Sequence, residues 1–255
     1  MATDFRLKDD ALQVFAEDNV DRLEESIRVK VFGQELSLSL LLKEDELAPL
    51  FSGAAWAGTL LWDAAVHLTR RFLEQYREQL SRPDNQLRVI ELGAGIGVPG
   101  MAARVAGAHH VIITEQDDLL ELMHRNLADN ASVLRTTTAR SAGIHARPLS
   151  WGVGETTKYL DEHADEPIDV ILSCDCIYEP LYGQSWRALA QTMEIICKRY
   201  PHAAVLMCVE RRNQDGIDKF LAFVDQETQL MCTMVEETIG GTNNTLQLYS
   251  LKLSA

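Results

Sequence analysis

A glycine-rich stretch contains the first residues of the chain that could bind a ligand. Residues 89–92 form a short, mostly apolar run that predicts a buried strand, and Gly93, Gly95 and Gly97 follow it directly. Pro99 then opens an apolar stretch that predicts a helix, since proline suits a first helical turn. Glycine permits a positive φ and a close approach of a ligand to the backbone, and a helix N-terminus presents unpaired N–H groups. This stretch therefore predicts a nucleotide-binding loop.

Two cofactors fit the glycine spacing. The pattern G-x-G-x-x-G over residues 95–100 matches the fingerprint of dinucleotide-binding loops, and an acidic residue, Glu115, lies about 20 residues downstream. The pattern G-x-G-x-G over residues 93–97, directly after a strand that ends in Glu91, instead matches S-adenosylmethionine (SAM) methyltransferases. A carboxylate at Glu115 could accept hydrogen bonds from two ribose hydroxyls of either cofactor. The glycine spacing alone leaves both cofactors open.

A second candidate segment carries a carboxylate and a phenol. Asp175 and Tyr178 follow the apolar run 170–172, and Pro180 ends regular structure after them. At the carboxyl end of a strand, these two side chains would line the mouth of a crevice beside the reactive end of a cofactor. The alternative is that Asp175 caps a helix.

Alternating strands and helices must position these residues. The predicted strands cover residues 88–92, 110–115, 144–148, 168–173 and 203–209, and the predicted helices cover residues 60–80, 99–106, 117–130, 182–199 and 215–223. This alternation predicts an α/β fold with a parallel sheet and helices on both faces. Residues 231–237 and 245–253 add an antiparallel hairpin at the sheet edge. Ligands bind beyond the carboxyl ends of such strands, where Glu115, Trp151 and Asp175 should converge.

The N-terminal part of the chain predicts a separate extension. Apolar residues alternate over Ile27–Leu40 around Gly33, which indicates a β-hairpin outside the main sheet. A short helix is expected around residues 11–15. We therefore divide the chain into an N-terminal extension, residues 1–50, and a main domain, residues 51–255.

Composition limits the classes of partner. The net charge of -14 excludes a surface built to bind the phosphates of nucleic acid. Five cysteines, an odd number lying mostly in apolar runs, indicate a reducing compartment, and Cys174-x-Cys176 is too closely spaced for a zinc site. The chain has no apolar run of membrane-spanning length, and its charged first ten residues do not read as a secretory signal. We expect a cytoplasmic or nuclear monomer without a metal or a membrane partner.

Four segments, in this order, resemble the family 16 methyltransferases of the seven-strand class. They are Leu61-Trp62-Asp63, residues 91–97, Ser150-Trp151-Gly152 and Asp175-Cys176-Ile177-Tyr178. The Asp-x-x-Tyr segment after the fourth strand is the family's hallmark, whereas the glycine loop is generic. The resemblance covers about residues 53–223 and implies a Rossmann-like seven-strand methyltransferase sheet, mostly parallel with an antiparallel C-terminal hairpin.

The resemblance also implies a cofactor, a reaction and roles for particular residues. SAM, with S-adenosylhomocysteine (SAH) as product, would contact Trp62, Glu91, Gly93, Ala94, Gly95, Gly97, Glu115, Trp151 and Cys174. Asp175 and Tyr178 would face the lysine of a protein substrate, such as a translation elongation factor or a chaperone. Two residues depart from the family pattern: Glu115 stands where aspartate is common, and Cys174 where alanine is common.

Three alternatives to protein-lysine methylation stay open at this point. An NAD(P)-dependent oxidoreductase explains the glycines and Glu115 but leaves the 175–178 segment unexplained. A small-molecule or histidine N-methyltransferase could use the same fold. A catalytically silent member could bind a chaperone or a translation factor without modifying it.

Overall fold

The computed structural model describes residues 11–15, 26–40, 54–135 and 142–254. Its strands are β1 (Leu12–Phe15), β2 (Ser26–Val31), β3 (Gln34–Ser39), β4 (Arg88–Leu92), β5 (His110–Glu115), β6 (Gly143–Pro148), β7 (Val170–Cys174), β8 (Ala204–Glu210), β9 (Leu230–Ile239) and β10 (Thr245–Leu253). Its helices are α1 (Asp63–Gln75), α2 (Arg77–Leu80), α3 (Val98–Val105), α4 (Asp117–Asp129), α5 (Ala131–Leu134), α6 (Val153–Glu162), α7 (Glu179–Tyr182), α8 (Ser185–Arg199) and α9 (Ile217–Glu227). A 3-10 helix, Ala54–Thr59, precedes α1.

Seven strands form the main sheet in the order β6-β5-β4-β7-β8-β10-β9. Strands β4 to β8 pair in parallel, and β10 runs antiparallel to both β8 and β9. Strands β4, β7 and β8 are almost entirely buried, as expected where helices cover both faces of a sheet. The predicted α/β fold, with its mostly parallel sheet and antiparallel C-terminal hairpin, is confirmed.

Each face of the sheet has its own apolar core, because successive residues of a strand point to opposite faces. Val89 of β4 belongs to the core that includes Leu68 and Phe72 of α1. Its neighbour Ile90 belongs to the opposite core, which includes Trp186 of α8. The two cores fix the strand ends and therefore the loops that follow them.

The N-terminal strands form a separate three-stranded sheet in the order β1-β2-β3. The predicted hairpin is confirmed, with β2 and β3 paired antiparallel on either side of Gly33. The helix expected around residues 11–15 is wrong, because Leu12–Phe15 pairs antiparallel with β2 as a strand. Pairing with the free edge of the hairpin supplies the backbone hydrogen bonds that a single helical turn could not retain by itself.

Two buried asparagines of α4 and its C-cap attach this small sheet to the main domain. Asn126 donates to the Ser39 carbonyl at 3.1 Å and accepts the Ser39 N–H at 2.8 Å. Asn130 makes the same pair of bonds with Ser37, at 2.7 and 2.8 Å. Four residues of helix and two residues of strand each advance by roughly 6 to 7 Å. The two side-chain amides can therefore pair with β3 much as a neighbouring strand would.

One helix was not predicted, and several others begin or end away from their predicted bounds, among them α9 (Ile217–Glu227), which was expected over residues 215–223. α6 was not predicted, since Gly154 and two threonines dilute the apolar pattern of a helix that buries only Thr156, Tyr159 and Leu160. The helix expected over residues 60–80 divides at Tyr76 into α1 and α2. The helix expected over residues 182–199 begins later, at Ser185, because Gly183 has a positive φ and ends the single turn of α7.

None of the helices within the described ranges is both long and apolar enough to cross a membrane. Across the same part of the chain, no three His, Cys, Asp or Glu side chains are grouped so that they could hold a metal ion.

Candidate cofactor and substrate site

A cavity of about 450 Å³ lies at the carboxyl ends of β4, β5 and β7. The predicted site residues that line it are Trp62, Gly93, Ala94, Gly95, Glu115, Trp151, Cys174 and Asp175. Of the other predicted residues, all of them described, Glu91, Gly97 and Tyr178 lie outside this lining. The volume is in the usual range for a small-molecule site, roughly 300–1,000 Å³. We call this cavity the crevice.

Gly93 is fitted tightly into the wall of the crevice. Its φ is +62°, and a Cβ placed there would lie 2.6 Å from the Cys176 Sγ and 2.9 Å from the Trp151 Cζ2. Both contacts are shorter than any that a real Cβ makes, so a side chain at Gly93 would displace the thiol and the indole that shape the crevice.

Gly95 makes a close backbone contact that the sequence did not indicate. A Cβ on Gly95 would lie 2.6 Å from the carbonyl oxygen of Gly58, which belongs to the 3-10 helix before α1. A Cβ on Gly58 would in turn lie too close to the side chain of Leu119 on α4. Gly97 has a different role, because it is the left-handed N-cap residue that starts α3. Gly95 therefore packs the loop closely against the 3-10 helix, which itself packs against Leu119 of α4.

Glu91 lies beneath the glycine loop. Its side chain is fully buried, and its Oε2 accepts the N–H of Gly100 in the first turn of α3 at 2.8 Å. Its Oε1 is buried and has no hydrogen-bond partner. Burial, reinforced by the negative charge of Glu115, raises the pKa of Glu91 to about 8, while the bond from Gly100 opposes the shift. Glu91 thus holds the loop from inside, and its raised pKa favours the protonated form near neutral pH.

Glu115 ends β5 at the edge of the crevice. Its Oε2 accepts the N–H of Gly95 at 3.0 Å, and its Oε1 accepts the N–H of Gln116 at 2.8 Å. Burial raises the pKa of Glu115, and the two backbone donors oppose that shift. Because a carboxylate offers about four acceptor positions, Glu115 can bind the loop and still accept hydroxyl groups from a ligand.

Two tryptophans form walls of the crevice. Trp62 is the N-cap residue of α1, and its Nε1–H donates to the Ala57 carbonyl at 2.9 Å. Trp151 follows β6, and its ring lies against Gly93. Both side chains are half-buried and line the crevice, where an aromatic plane could border a ligand.

The thiols at the end of β7 are neutral. Cys174 and Cys176 both line the crevice, although Cys176 was not a predicted site residue. The Cys176 thiol donates to the carbonyls of Cys174 at 3.3 Å and Leu92 at 3.4 Å, and burial raises its pKa to about 12. Burial also raises the pKa of Cys174. Since the thiolate is the nucleophilic form, these residues shape the wall and do not attack a substrate. Tyr182 of α7, which also lines the crevice, was not predicted either.

Asp175 is paired with an arginine that sequence reasoning missed. The Arg212 guanidinium donates to both carboxylate oxygens, at 3.0 and 2.6 Å, and the N–H of Glu210 donates to Oδ1 at 3.1 Å. Asp175 has a φ of +51°, an uncommon value for a residue with a side chain. Burial raises its pKa, and Arg212 opposes the shift. The available signal was Glu210-Arg211-Arg212, which directly follows the predicted strand 203–209.

Tyr178 lies on the side of Arg212 and not in the crevice wall. The Arg212 Cζ is 5.6 Å from the centre of the Tyr178 ring and 5.1 Å from that of Trp62. Tyr178 is also the N-cap residue of α7, so its backbone starts that short helix. Asp175 and Tyr178, predicted to line the crevice together, therefore both contact Arg212, and of the two only Asp175 lines the crevice.

The fold and the glycine loop define a class of enzyme. An O-methyltransferase from Bacillus cereus, solved in complex with SAH, has a TM-score of 0.50 at 15% identity, over 84% of this chain and 93% of that one. A SAM-dependent methyltransferase from Agrobacterium tumefaciens also has a TM-score of 0.50, at 14% identity, over 91% and 71%. These likenesses show the methyltransferase fold.

Residues 42–227 match the family model described as lysine methyltransferase. Because the match covers more than half of the chain, the protein belongs to the lysine methyltransferase family. Both its family and its fold are those of SAM-dependent methyltransferases, which favours SAM over a nicotinamide cofactor.

Individual relatives differ in their identity to this chain and in the share of it that they match. "Secreted RxLR effector protein 48" of Plasmopara viticola is 61% identical over 158 residues, which are 62% of this chain and 80% of that protein. "Protein N-lysine methyltransferase METTL21A" of Danio rerio is 34% identical over 135 residues, 53% of each chain. "EEF1A lysine methyltransferase 3" of Xenopus tropicalis is 26% identical over 160 residues, 63% of this chain and 61% of that one. The chain thus spans only 53% and 61% of the lengths of these two named methyltransferases.

Proposed function

We propose that this protein transfers the methyl group of SAM to the side-chain amine of a lysine in a protein substrate. The observation that carries the proposal is the position of Asp175. Its carboxylate lines the crevice at the end of β7 and is held there by three hydrogen bonds. A fixed negative charge at this place suits an incoming ammonium group.

The residues of the crevice fit SAM. The absence of a side chain at Gly93 lets the Cys176 thiol and the Trp151 ring form the crevice wall, and Glu115 retains acceptor positions for ribose hydroxyls. We propose that the 93–97 loop, Trp62 and Trp151 complete the cofactor site, with Cys174 in its wall. When bound, SAM supplies a methyl group that its sulfonium already activates, so the protein needs to orient and desolvate the amine.

The substrate lysine must lose its proton before it can act as a nucleophile. Trp62, Leu181 and Tyr182 line the crevice. We propose that they exclude water from the substrate amine, because desolvation lowers the pKa of a lysine. We propose that Asp175 directs the amine and that Tyr178 narrows the approach to it. Alignment of the reacting atoms then provides much of the rate.

Candidate targets come from the names of relatives and from charge. The Xenopus tropicalis relative is named for EEF1A, which makes translation elongation factors the first targets to test, followed by chaperones. The net charge of -14 suits a basic surface on the partner protein.

We propose that the protein acts in the cytoplasm or the nucleus. The five cysteines are free thiols in the structure, which supports a reducing compartment. The Plasmopara viticola relative, by contrast, has "secreted" in its name. Mass spectrometry of the thiols from intact cells tests the proposal, and disulfides between these residues would contradict it.

The decisive experiment incubates the protein with labelled SAM and a proteome whose existing methylation has been erased. We expect label in the protein fraction. Asp175→Asn should reduce that label by about 10- to 100-fold, because it removes a charge-assisted hydrogen bond near the transition state. Asp218→Asn is the matched control, since its side chain is 82% exposed on α9 and it should behave as wild type.

The alternatives give other results in the same experiment. Label in the small-molecule fraction would indicate a small-molecule methyltransferase. Binding of SAH without any transfer would indicate a catalytically silent protein. Normal labelling by Asp175→Asn would remove Asp175 from the reaction.

A further inference from the structure

A cation-binding site beside the crevice is filled by the protein's own arginine. Arg212 donates to the carboxylates of Asp175 and Glu210, whose side chains are only 4% and 3% exposed. Its guanidinium also lies over the rings of Trp62 and Tyr178. Carboxylates and aromatic faces are the groups that bind an alkylammonium ion. The site therefore has the chemistry of a lysine-binding site while an arginine occupies it.

The position of Arg212 places it between the surface and the crevice. Asp175 lines the crevice, whereas Arg212 lines a second, shallow cavity of about 370 Å³ together with Arg211, Asn213 and Asn244. The Asp175–Arg212 ion pair thus connects the two cavities. Since the Arg212 side chain is 20% exposed, it borders open space on the side away from Asp175.

Glu210 gives Arg212 a second attachment. The Arg212 Nη2 is 2.8 Å from the Glu210 Oε2, and the Glu210 Oε1 is held by the hydroxyl of Thr242 and the side-chain amide of Asn244. An arginine released from Asp175 would therefore keep one charged partner. The cluster of Asp175, Glu210 and Arg212 carries one net negative charge, so an incoming ammonium group would neutralise it while each carboxylate keeps a cationic partner.

We propose that Arg212 competes internally with the substrate, so that a lysine ammonium gains Asp175 only by displacing the guanidinium, which Glu210 then retains. The inference rests on the proposed function, since it assigns Asp175 to the substrate amine. It predicts that wild-type protein binds simple alkylammonium ions weakly, and that removal of the arginine charge exposes a stronger site.

Arg211 provides a matched control for removal of a positive charge. It is adjacent in sequence and lines the same shallow cavity, but it pairs with Asp218 at 2.9 Å and with Asp215 at 3.4 Å. Asp218 lies outside the Asp175 cluster, and Asp215 touches the cluster only by accepting the backbone N–H of Arg212 at 2.9 Å. Arg211→Gln changes the net charge as Arg212→Gln does, and it leaves the guanidinium on Asp175.

The test is a calorimetric titration of the purified protein with n-butylammonium, carried out with and without saturating SAH. We expect Arg212→Gln to bind the probe at least about tenfold more tightly than wild type, the change that corresponds to roughly 1.4 kcal/mol. Arg211→Gln should match wild type. The double variant Arg212→Gln, Asp175→Asn should bind n-butylammonium no more tightly than wild type, because the carboxylate that would hold the ammonium group is gone.

Equal or weaker binding by Arg212→Gln would overturn the proposal and leave Arg212 as a fixed partner that orients Asp175. If that variant fails to fold, Arg212→Lys retains the charge but loses the two-pronged contact, and a gain of about threefold is expected. The absence of that gain would also overturn the proposal. Failure of the proposed function is seen separately, in the labelling experiment with SAM. Wild-type protein would then transfer no methyl group to protein, whether or not Arg212→Gln binds n-butylammonium more tightly.

Discussion

At the scale of single residues, Gly93 gives the sharpest test of the crevice. Gly93→Ala would place a Cβ against the Cys176 thiol and the Trp151 indole. Because both groups line the crevice, we expect SAH affinity to fall at least about tenfold, or 1.4 kcal/mol. Gly154→Ala on α6 is the control, since its Cβ would meet no atom within 4 Å. Calorimetric titration measures both, and an unchanged affinity of Gly93→Ala would place the ligand elsewhere.

The raised pKa of Glu91 predicts that the free energy of unfolding depends on pH. Its pKa rises from 4.5 in the unfolded chain to about 8 in the folded one, so the folded state binds the additional proton between these values. The stabilising contribution is complete below about pH 4.5 and is lost as the pH rises to 8, at no more than roughly 1.4 kcal/mol per pH unit.

Glu91→Gln cannot titrate, and its amide can still accept the Gly100 N–H. We expect the free energy of unfolding of the variant to fall less than that of wild type between pH 5.5 and about 7.5, a range inside the window set by the pKa shift. Urea denaturation at several pH values measures the two slopes. Parallel curves would mean that Glu91 is ionised throughout this range.

At the scale of elements, the attachment of β3 to α4 depends on Asn126 and Asn130. Asn130→Ala leaves the backbone N–H and C=O of Ser37 without their side-chain partner. We expect a loss of about 1–3 kcal/mol in unfolding free energy, together with faster hydrogen exchange at the Ser37 amide. Asp129→Ala, an exposed neighbour on the same helix, should change neither quantity. An unchanged rate of hydrogen exchange at the Ser37 amide in Asn130→Ala would show that the buried side chains Leu36 and Leu38 hold β3 without the asparagine.

The elements also show what the sequence could predict. Strands β4, β5, β7 and β8 have apolar runs long enough to be recognised, and the order of the sheet brings Glu115, Trp151 and Asp175 to one edge, as predicted. Arg212 could not be assigned to Asp175, because the two lie 37 residues apart and no local periodicity records their pairing. The asparagine contacts with β3 span 87 and 93 residues and were missed for the same reason.

Backbone conformation explains the remaining differences. A positive φ at Asp175, a residue with a side chain, is set by its contacts in the folded protein and leaves no mark in the sequence. The close approach of Gly58 to Gly95 likewise joins two segments that the sequence presents as unrelated loops. The glycine spacing predicted the loop, and packing decided that Gly97 shapes the start of α3.

At the scale of the whole molecule, β9 bears on the predicted monomer. This strand ends the sheet, and it exposes Met231, Met234, Val235 and Ile239. An exposed apolar edge can pair with another strand. We nevertheless predict a monomer of 28.6 kDa, because acidic charge spread over the chain opposes self-association. Sedimentation equilibrium at physiological salt measures the mass, and a dimer that Val235→Lys dissociates would contradict the prediction and identify the edge.

The central claim is that the protein methylates lysine. The most direct measurement is acid hydrolysis of a protein fraction labelled by this enzyme and isotopic SAM, followed by chromatographic identification of the labelled amino acid. We predict that the label elutes as Nε-methylated lysine and that Gly93→Ala abolishes it. Label recovered as methylhistidine or methylarginine, with lysine unlabelled, would contradict the assignment.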